Sequence, residues 1–279
     1  VEASVQVTGT SGADALTGGS NNDVISGVAG NDTLIGNLGA DILDGGAGDD
    51  SISGDGGSDT LYGGTGDDLI SGGDGRDLLV AGTGVDTLVG GDGNDTYFAG
   101  SGDTITETGG AGLDVVMASD SFTLGANIEN LFINEAGVFN ATGNSLDNLI
   151  SGNSQSNILI GGAGADTLSG GAGDDTLSGG AGADRLDGCA NGDVFIGSSS
   201  ELANDTIAVF DSADAIVVTG TDLSALNGQA AASVISTGAG SLSIEAFSDP
   251  ANARFEATFS VGDTTIRLTD PPPPPPPPP

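Results

Sequence analysis

A nine-residue pattern, G-G-x-G-x-D-x-U-x with U a large apolar residue, recurs sixteen times in this chain, in two arrays that neither gain nor lose a residue internally. The first array runs from residue 9 to 98 as ten copies, among them GGAGDDSIS from Gly45, GGTGDDLIS from Gly63 and GGDGNDTYF from Gly90. The second runs from 143 to 196 as six copies, with GGAGADTLS at Gly161 and GGAGDDTLS at Gly170 closest to the pattern. The sixth position is Asp throughout the first array: Asp14, Asp23, Asp32, Asp41, Asp50, Asp59, Asp68, Asp77, Asp86 and Asp95. In the second it is Asn148, Asn157, Asp166, Asp175, Asp184 and Asp193.

Such a period dictates a coil of short strands. The Gly-rich hexad admits positive φ and turns the chain sharply, while the x-U-x triplet is extended and has one apolar residue to direct inward. Two nonapeptides then complete one circuit, so that copies i and i+2 stack on one side and copies i and i+1 face each other. The eighth positions form the expected internal ladder: Leu16, Ile25, Leu34, Leu43, Ile52, Leu61, Ile70, Leu79, Leu88 and Tyr97, then Ile150, Leu159, Leu168, Leu177, Leu186 and Phe195. The fold class that follows is all-β, a parallel β-roll or right-handed β-solenoid.

Stacking circuits at strand spacing, about 4.8 Å, also stacks the sixth-position carboxylates into columns. At an effective dielectric near 20, adjacent members of a column repel by up to about 3 kcal/mol. The chain has no Lys or His and only Arg76, Arg185, Arg254 and Arg267, so its own cations cannot neutralise them. A hard divalent cation can. Calcium takes six to eight oxygen ligands in flexible geometry, and a Gly-rich turn exposes backbone carbonyls beside each carboxylate. Zinc and iron are disfavoured with no His and a single Cys. Gly and Asp also favour ordinary turns, which accounts for a single copy. It does not account for Asp at one site in fourteen of sixteen copies. An acidic disordered polymer is likewise at odds with the periodic Leu and Ile, although it describes the ion-free chain well.

With these residues in view, the chain resembles the RTX (repeats-in-toxin, hemolysin-type calcium-binding repeat) family, whose G-G-x-G-x-D-x-U-x arrays form a calcium-loaded parallel β-roll. The resemblance implies that each ion lies between the loops of copies i and i+2, held by both sixth-position aspartates and by loop carbonyls. Carried over, it gives eight pairs in the first array, Asp14 with Asp32 through Asp77 with Asp95. The second array adds Asp166 with Asp184 and Asp175 with Asp193, about ten calcium ions in all. Pairs containing Asn148 or Asn157 lack one carboxylate and are expected to be weak or empty. Other departures are Asn21 at a fourth position, expected to be mild because Asn tolerates positive φ, Ala81 at a first and Cys189 at a second.

Composition is consistent. A formal charge of −36 argues against nucleic acid or an anionic membrane as partner. One Cys excludes an intramolecular disulfide framework, and Cys189 is expected to have no role. No apolar run is long enough to span a bilayer and no Sec-type signal opens the sequence, so membrane insertion is not expected. Starting at Val1, the sequence is expected to be a piece of something longer. Without His there is neither an H-E-x-x-H zinc site nor a His-dependent triad, so the chain is expected not to be an enzyme. The seventh positions are too varied for an ice-binding Thr array, and stacking on sugars has little support without Trp.

Residues 99–142 break the period but remain strand-like and resemble the irregular spacers of RTX arrays. Glu107, Glu129 and Glu135 within it could supply further ligands, but solvated surface is the expectation, because acidic side chains are normally exposed. From 197 to 270, segments such as NDTIAVF, DAIVV, SLSIEAF, ARFEATFSV and TTIRLTD suggest short antiparallel strands. They look like the C-terminal β cap that follows RTX arrays near an uncleaved type I secretion signal. Nine prolines, 271–279, form a polyproline II linker of about 28 Å. Two functional classes follow: a secreted, calcium-binding structural or adhesive module, extracellular or on the cell surface with a matrix or surface partner, or the C-terminal accessory region of a secreted protease, lipase or epimerase. A catalytic domain beside these residues in the parent gene would select the second.

Overall fold

The computed structural model describes residues 4–108, 112–198, 200–202, 204–208 and 214–219, together with the strands Val234–Ser236, Ser241–Ile244, Arg254–Ser260 and Asp263–Thr269. The described residues form β-strands and no helices. They belong to two compact units, Val1–Glu135 and Ala136–Pro279. Each contains parallel ladders of the kind the period requires. The proline run 271–279 and the side chains of Arg254 and Arg267 lie outside the described residues.

In the first unit the register advances by two nonapeptides per circuit. On one face Ile25 pairs with Leu43, Leu43 with Leu61 and Leu61 with Leu79, all in parallel strands. On the other, Leu16, Leu34, Ile52, Ile70 and Leu88 align in the same way. Every eighth-position residue from Ile25 to Tyr97 is buried, whereas Leu16, in the first circuit, is half-buried because its stack has no preceding rung.

The strands are longer than the triplet suggested. Ile42–Ala47 and Thr60–Thr65 span six residues and run through the first three positions of the following copy. The two-residue alternation of a strand then turns positions six, eight and one inward together, so Asp41, Leu43 and Gly45 share the interior. The turn falls at the second and fourth positions, where Gly64 (φ 110°) and Gly66 (φ 127°) lie in the left-handed region. Val28 (φ 84°), Asn37 (φ 74°) and Asp55 (φ 69°) adopt it at second positions without being glycine. Asn21, expected to use its tolerance of positive φ, is not among the positive-φ residues. The first circuits turn differently, since Gly12 and Gly19 are not among them either.

The ladders pass into the spacer with altered rung lengths. Leu88 pairs with Ile105, Tyr97 with Val116 and Val116 with Leu131, so that successive circuits fall short of, exceed and again fall short of two nonapeptides. The core is accordingly wider than the eighth-position ladder, adding Ile105, Val116, Ile128 and Leu131.

In the second unit Ile150 aligns with Leu168 and Leu168 with Leu186, while Leu159 aligns with Leu177 and Leu177 with Phe195. The parallel arrangement does not stop at residue 196. Thr206–Ile207 pairs in parallel with Arg185 and Leu186, and Ala215–Thr219 pairs in parallel with Val194–Ser198. Ser241–Ile244 in turn pairs in parallel with Thr206–Ile207, so three of the segments expected to be antiparallel carry parallel rungs, two of them because D-T-I and D-A-I repeat the inward Asp and apolar positions of a nonapeptide. Antiparallel pairing enters with Asp263–Thr269 against Ala215–Thr219, Arg254–Ser260 against Asp263–Thr269, and Val234–Ser236 against Ser241–Ile244.

Candidate metal centre: columns of buried carboxylates

The inward alternation places the sixth-position carboxylates inside the turns. Asp23, Asp32, Asp41, Asp50, Asp59, Asp68, Asp77, Asp86 and Asp95 are all buried, as are Asp166, Asp175, Asp184 and Asp193. Asp14, in the first circuit, is half-buried. All fourteen therefore occupy equivalent places, and each is joined to the aspartate one circuit away. The backbone N–H of Asp32 donates to Asp50 Oδ1 at 2.7 Å, that of Asp50 to Asp68 Oδ1 at 2.8 Å and that of Asp68 to Asp86 Oδ1 at 2.8 Å. The second column of the first unit is built alike, Asp41 donating to Asp59 and Asp59 to Asp77. One carboxylate oxygen of each residue thus fixes the register of the stack.

In most of them the other oxygen has no donor. Oδ2 of Asp32, Asp41, Asp50, Asp59, Asp68, Asp77, Asp86 and Asp95 is buried without a hydrogen bond, and so is Oδ2 of Asp166 and Asp175. An uncompensated buried carboxylate oxygen is costly enough that it requires a counter-charge or a proton. The surroundings supply only more oxygen. A methyl group built on Gly45 would meet Asp50 Oδ2 and the carbonyl oxygen of Gly63, and one on Gly54 would meet Asp59 Oδ2 and the carbonyl of Gly72. The absence of a side chain at the first-position glycine therefore lets the carboxylate of its own copy and a backbone carbonyl of the copy two further on come together beside it. An oxygen-only donor set of that kind, repeated along a column, fits calcium.

Electrostatics agree. Burial pushes the carboxyls of Asp59 and Asp68 up to about 6 and that of Asp77 up to about 7; the donated amide opposes the shift and the charges of column neighbours add to it. In the second unit burial raises Asp166 to about 6 and Asp193 to about 7. A bound divalent cation removes that penalty and holds the groups ionised.

The first copies of each array differ. Asp14 Oδ2 accepts from the Thr10 N–H at 2.6 Å and from the Thr10 hydroxyl at 2.9 Å, and Asp23 Oδ2 accepts from the Gly19 N–H at 2.5 Å. Asn148 Oδ1 accepts from Asn144 N–H at 2.8 Å and Asn157 Oδ1 from Asn153 N–H at 2.9 Å. Asn157 Nδ2 also donates to the Phe139 carbonyl at 2.6 Å. These turns close on themselves, which is where the second array has an amide in place of the acid.

The columns also extend beyond the nonapeptides. Asp86 N–H donates to Asp103 Oδ1 at 2.9 Å, Asp95 N–H to Asp114 Oδ1 at 2.8 Å and Asp114 N–H to Glu129 Oε2 at 2.9 Å. Asp184 and Asp193 donate in the same way to Asp205 and Asp214, each at 3.0 Å. A strict nine-residue register misses all five. A D-x-U triplet would have found four: Asp103 with Ile105, Asp114 with Val116, Asp205 with Ile207 and Asp214 with Ile216. Glu107, expected to be solvated, is buried, because strand alternation from Ile105 turns its side chain inward. Cys189 is exposed, lies at φ 72° and sits 3.3 Å from Ser169 Oγ.

Parallel circuits with stacked, half-satisfied carboxylates in glycine turns define a β-roll of the cation-binding kind. The family model for the RTX calcium-binding nonapeptide repeat (4 copies) matches residues 8–43, 35–70, 71–105, 142–177 and 160–195, more than half of the chain, and the chain belongs to that family. Calcium binding is implied by that membership. No curated protein matches the chain. No helix among the described residues is long and apolar enough to cross a membrane.

Proposed function

We propose that this chain is a secreted, non-catalytic module that is unfolded inside the cell, folds on meeting calcium outside it, and then serves as a structural or adhesive element. The observation that carries the reading is the series of buried Oδ2 atoms from Asp32 to Asp95, none with a hydrogen-bond donor. A roll built this way is poorly stable without ions, because the charged columns repel and a one-residue-wide apolar ladder must order a chain with 51 glycines. Ion binding and folding then become one event.

Extracellular calcium suits sites of about 10⁻⁴ to 10⁻³ M, whereas cytoplasmic calcium leaves such sites empty. The charge of −36 keeps the ion-free chain soluble and extended, a state suited to passage through a type I secretion channel. Partners at a matrix or cell surface would then meet only the folded form. Far-ultraviolet circular dichroism tests the reading: chelated protein gives a coil spectrum, and calcium addition in the sub-millimolar to millimolar range gives a β spectrum. A folded spectrum in excess chelator, or midpoints in the nanomolar range, would overturn it.

A further inference from the structure

Where the first array passes into the spacer, a carboxylate that no nonapeptide supplies stands beside the column of Asp95 and Asp114. Asp95, Glu107 and Asp114 are all buried, and each offers a carboxylate oxygen within 4.8 Å of the others. Asp95 uses Oδ1 to accept the Asp77 N–H at 2.8 Å, while its Oδ2 is buried and has no hydrogen bond. That free oxygen is aimed into the cluster. A methyl group built on Gly90 would meet Asp95 Oδ2, Glu107 Oε1 and Tyr97 Oη together. At Gly72, the same position one circuit earlier, the atoms met are Asp77 Oδ2 and the carbonyl oxygen of Gly90. Glu107 thus brings a full negative charge to the place where a repeat presents a neutral carbonyl.

Tyr97 holds it there. The Tyr97 hydroxyl donates to Glu107 Oε1, and the Gly91 backbone N–H also donates to the Glu107 carboxylate. Tyr97 is the only eighth-position residue with a polar end, and it stands at the last copy of its array. Three carboxylates and a phenol oxygen, with neither nitrogen nor sulfur among them, make a donor set for a hard cation. Burial requires that ion to shed most of its water, which calcium does readily and magnesium reluctantly.

We propose that Asp95, Glu107 and Asp114 form a further calcium site, distinct from those of the repeats, in which Tyr97 positions Glu107. The proposal rests on the calcium-loaded reading above and adds a ligand set from outside the nonapeptides. Terbium(III), an oxygen-seeking stand-in for calcium whose luminescence is excited through a nearby phenol, provides the test. The chain has two tyrosines and no Trp, and Tyr62 is exposed on the outer face. Tyrosine-excited terbium emission should therefore survive Tyr62→Phe and disappear in Tyr97→Phe. In Glu107→Gln it should fall, since the repeat ion between Asp77 and Asp95 still lies near Tyr97, with calcium stoichiometry by equilibrium dialysis lower by one ion and the calcium-dependent β spectrum retained.

If Glu107→Gln keeps both the emission and the full stoichiometry, the site is refuted while the calcium reading stands. If the wild-type chain shows no calcium-dependent folding, both fall together. Should Glu107→Gln not fold, Glu107→Asp, which retains the charge but withdraws it by one methylene, takes its place. Unchanged emission there refutes the site equally.

Discussion

At the scale of the residue, an aspartate in this roll has two oxygens with two different tasks. Oδ1 accepts the amide of the aspartate one circuit earlier and sets the register; Oδ2 is left for a cation. Asp50 takes part in both directions, accepting from Asp32 and donating its own N–H to Asp68. Asp14 has a column neighbour on one side only, Asp32, and its second oxygen is already satisfied by Thr10. Asp50→Ala is therefore expected to raise the calcium midpoint for folding well beyond Asp14→Ala. Equal midpoints would mean that the circuit-to-circuit pairing does not govern binding. Asn148 and Asn157 extend the comparison. Their Oδ1 atoms already accept an amide of their own turn and they carry no charge for an ion, so Asn157→Ala should move the midpoint less than Asp175→Ala, read from the same titration.

At the scale of the element, each strand and turn is held by what glycine leaves out. Gly64 sits at φ 110°, and a Cβ there would strike the carbonyl oxygen of Gly46 in the circuit before. Backbone cannot give way as a flexible side chain can. Gly64→Ala should destabilise the calcium-loaded roll by at least about 1–2 kcal/mol, the cost of a left-handed L-residue, with the clash added to it. Gly12 is not in the left-handed region and a Cβ there meets nothing within 4 Å. Gly12→Ala should thus be neutral or slightly stabilising through the unfolded state. Thermal unfolding at fixed, saturating calcium separates the two, and comparable losses would contradict this account of the turns.

At the scale of the whole molecule, protons and calcium act on the same oxygens, and each relieves the charge buried in the columns. Unfolded aspartates titrate near 3.9, whereas burial in the ion-free roll raises Asp59 and Asp68 to about 6 and Asp77 to about 7. Between those values the folded chain binds more protons than the unfolded one, so ion-free stability falls as pH rises through the window. Without calcium, lowering the pH from about 7.5 to about 5 should increase the β signal. With calcium, the same acidification should not move the folding midpoint to higher calcium, because the aspartates are ionised both in the unfolded chain and beside the ion, while protons stabilise the ion-free roll. Circular dichroism across both series checks the sign in each arm. A calcium-free chain that loses β structure on acidification would contradict the burial of these carboxyls.

The nine-residue period by itself determined the two-copy circuit, the eighth-position ladder and the fourteen aspartates, because a repeat in sequence becomes a repeat in space once turn and strand alternate. Only the tertiary structure decided which oxygen of each aspartate remains free, since that depends on an amide one circuit away. It also decided that Asp103, Asp114, Glu129, Asp205 and Asp214 continue the columns: rungs shorter or longer than two nonapeptides break the sequence period while strand pairing preserves the spatial one. Glu107 was hidden for the same reason. Its local sequence looks like exposed spacer, and it becomes a buried partner of Tyr97 only because Thr104–Thr106 pairs with the strand Thr87–Asp92 and directs the next inward side chain toward Asp95 and Asp114.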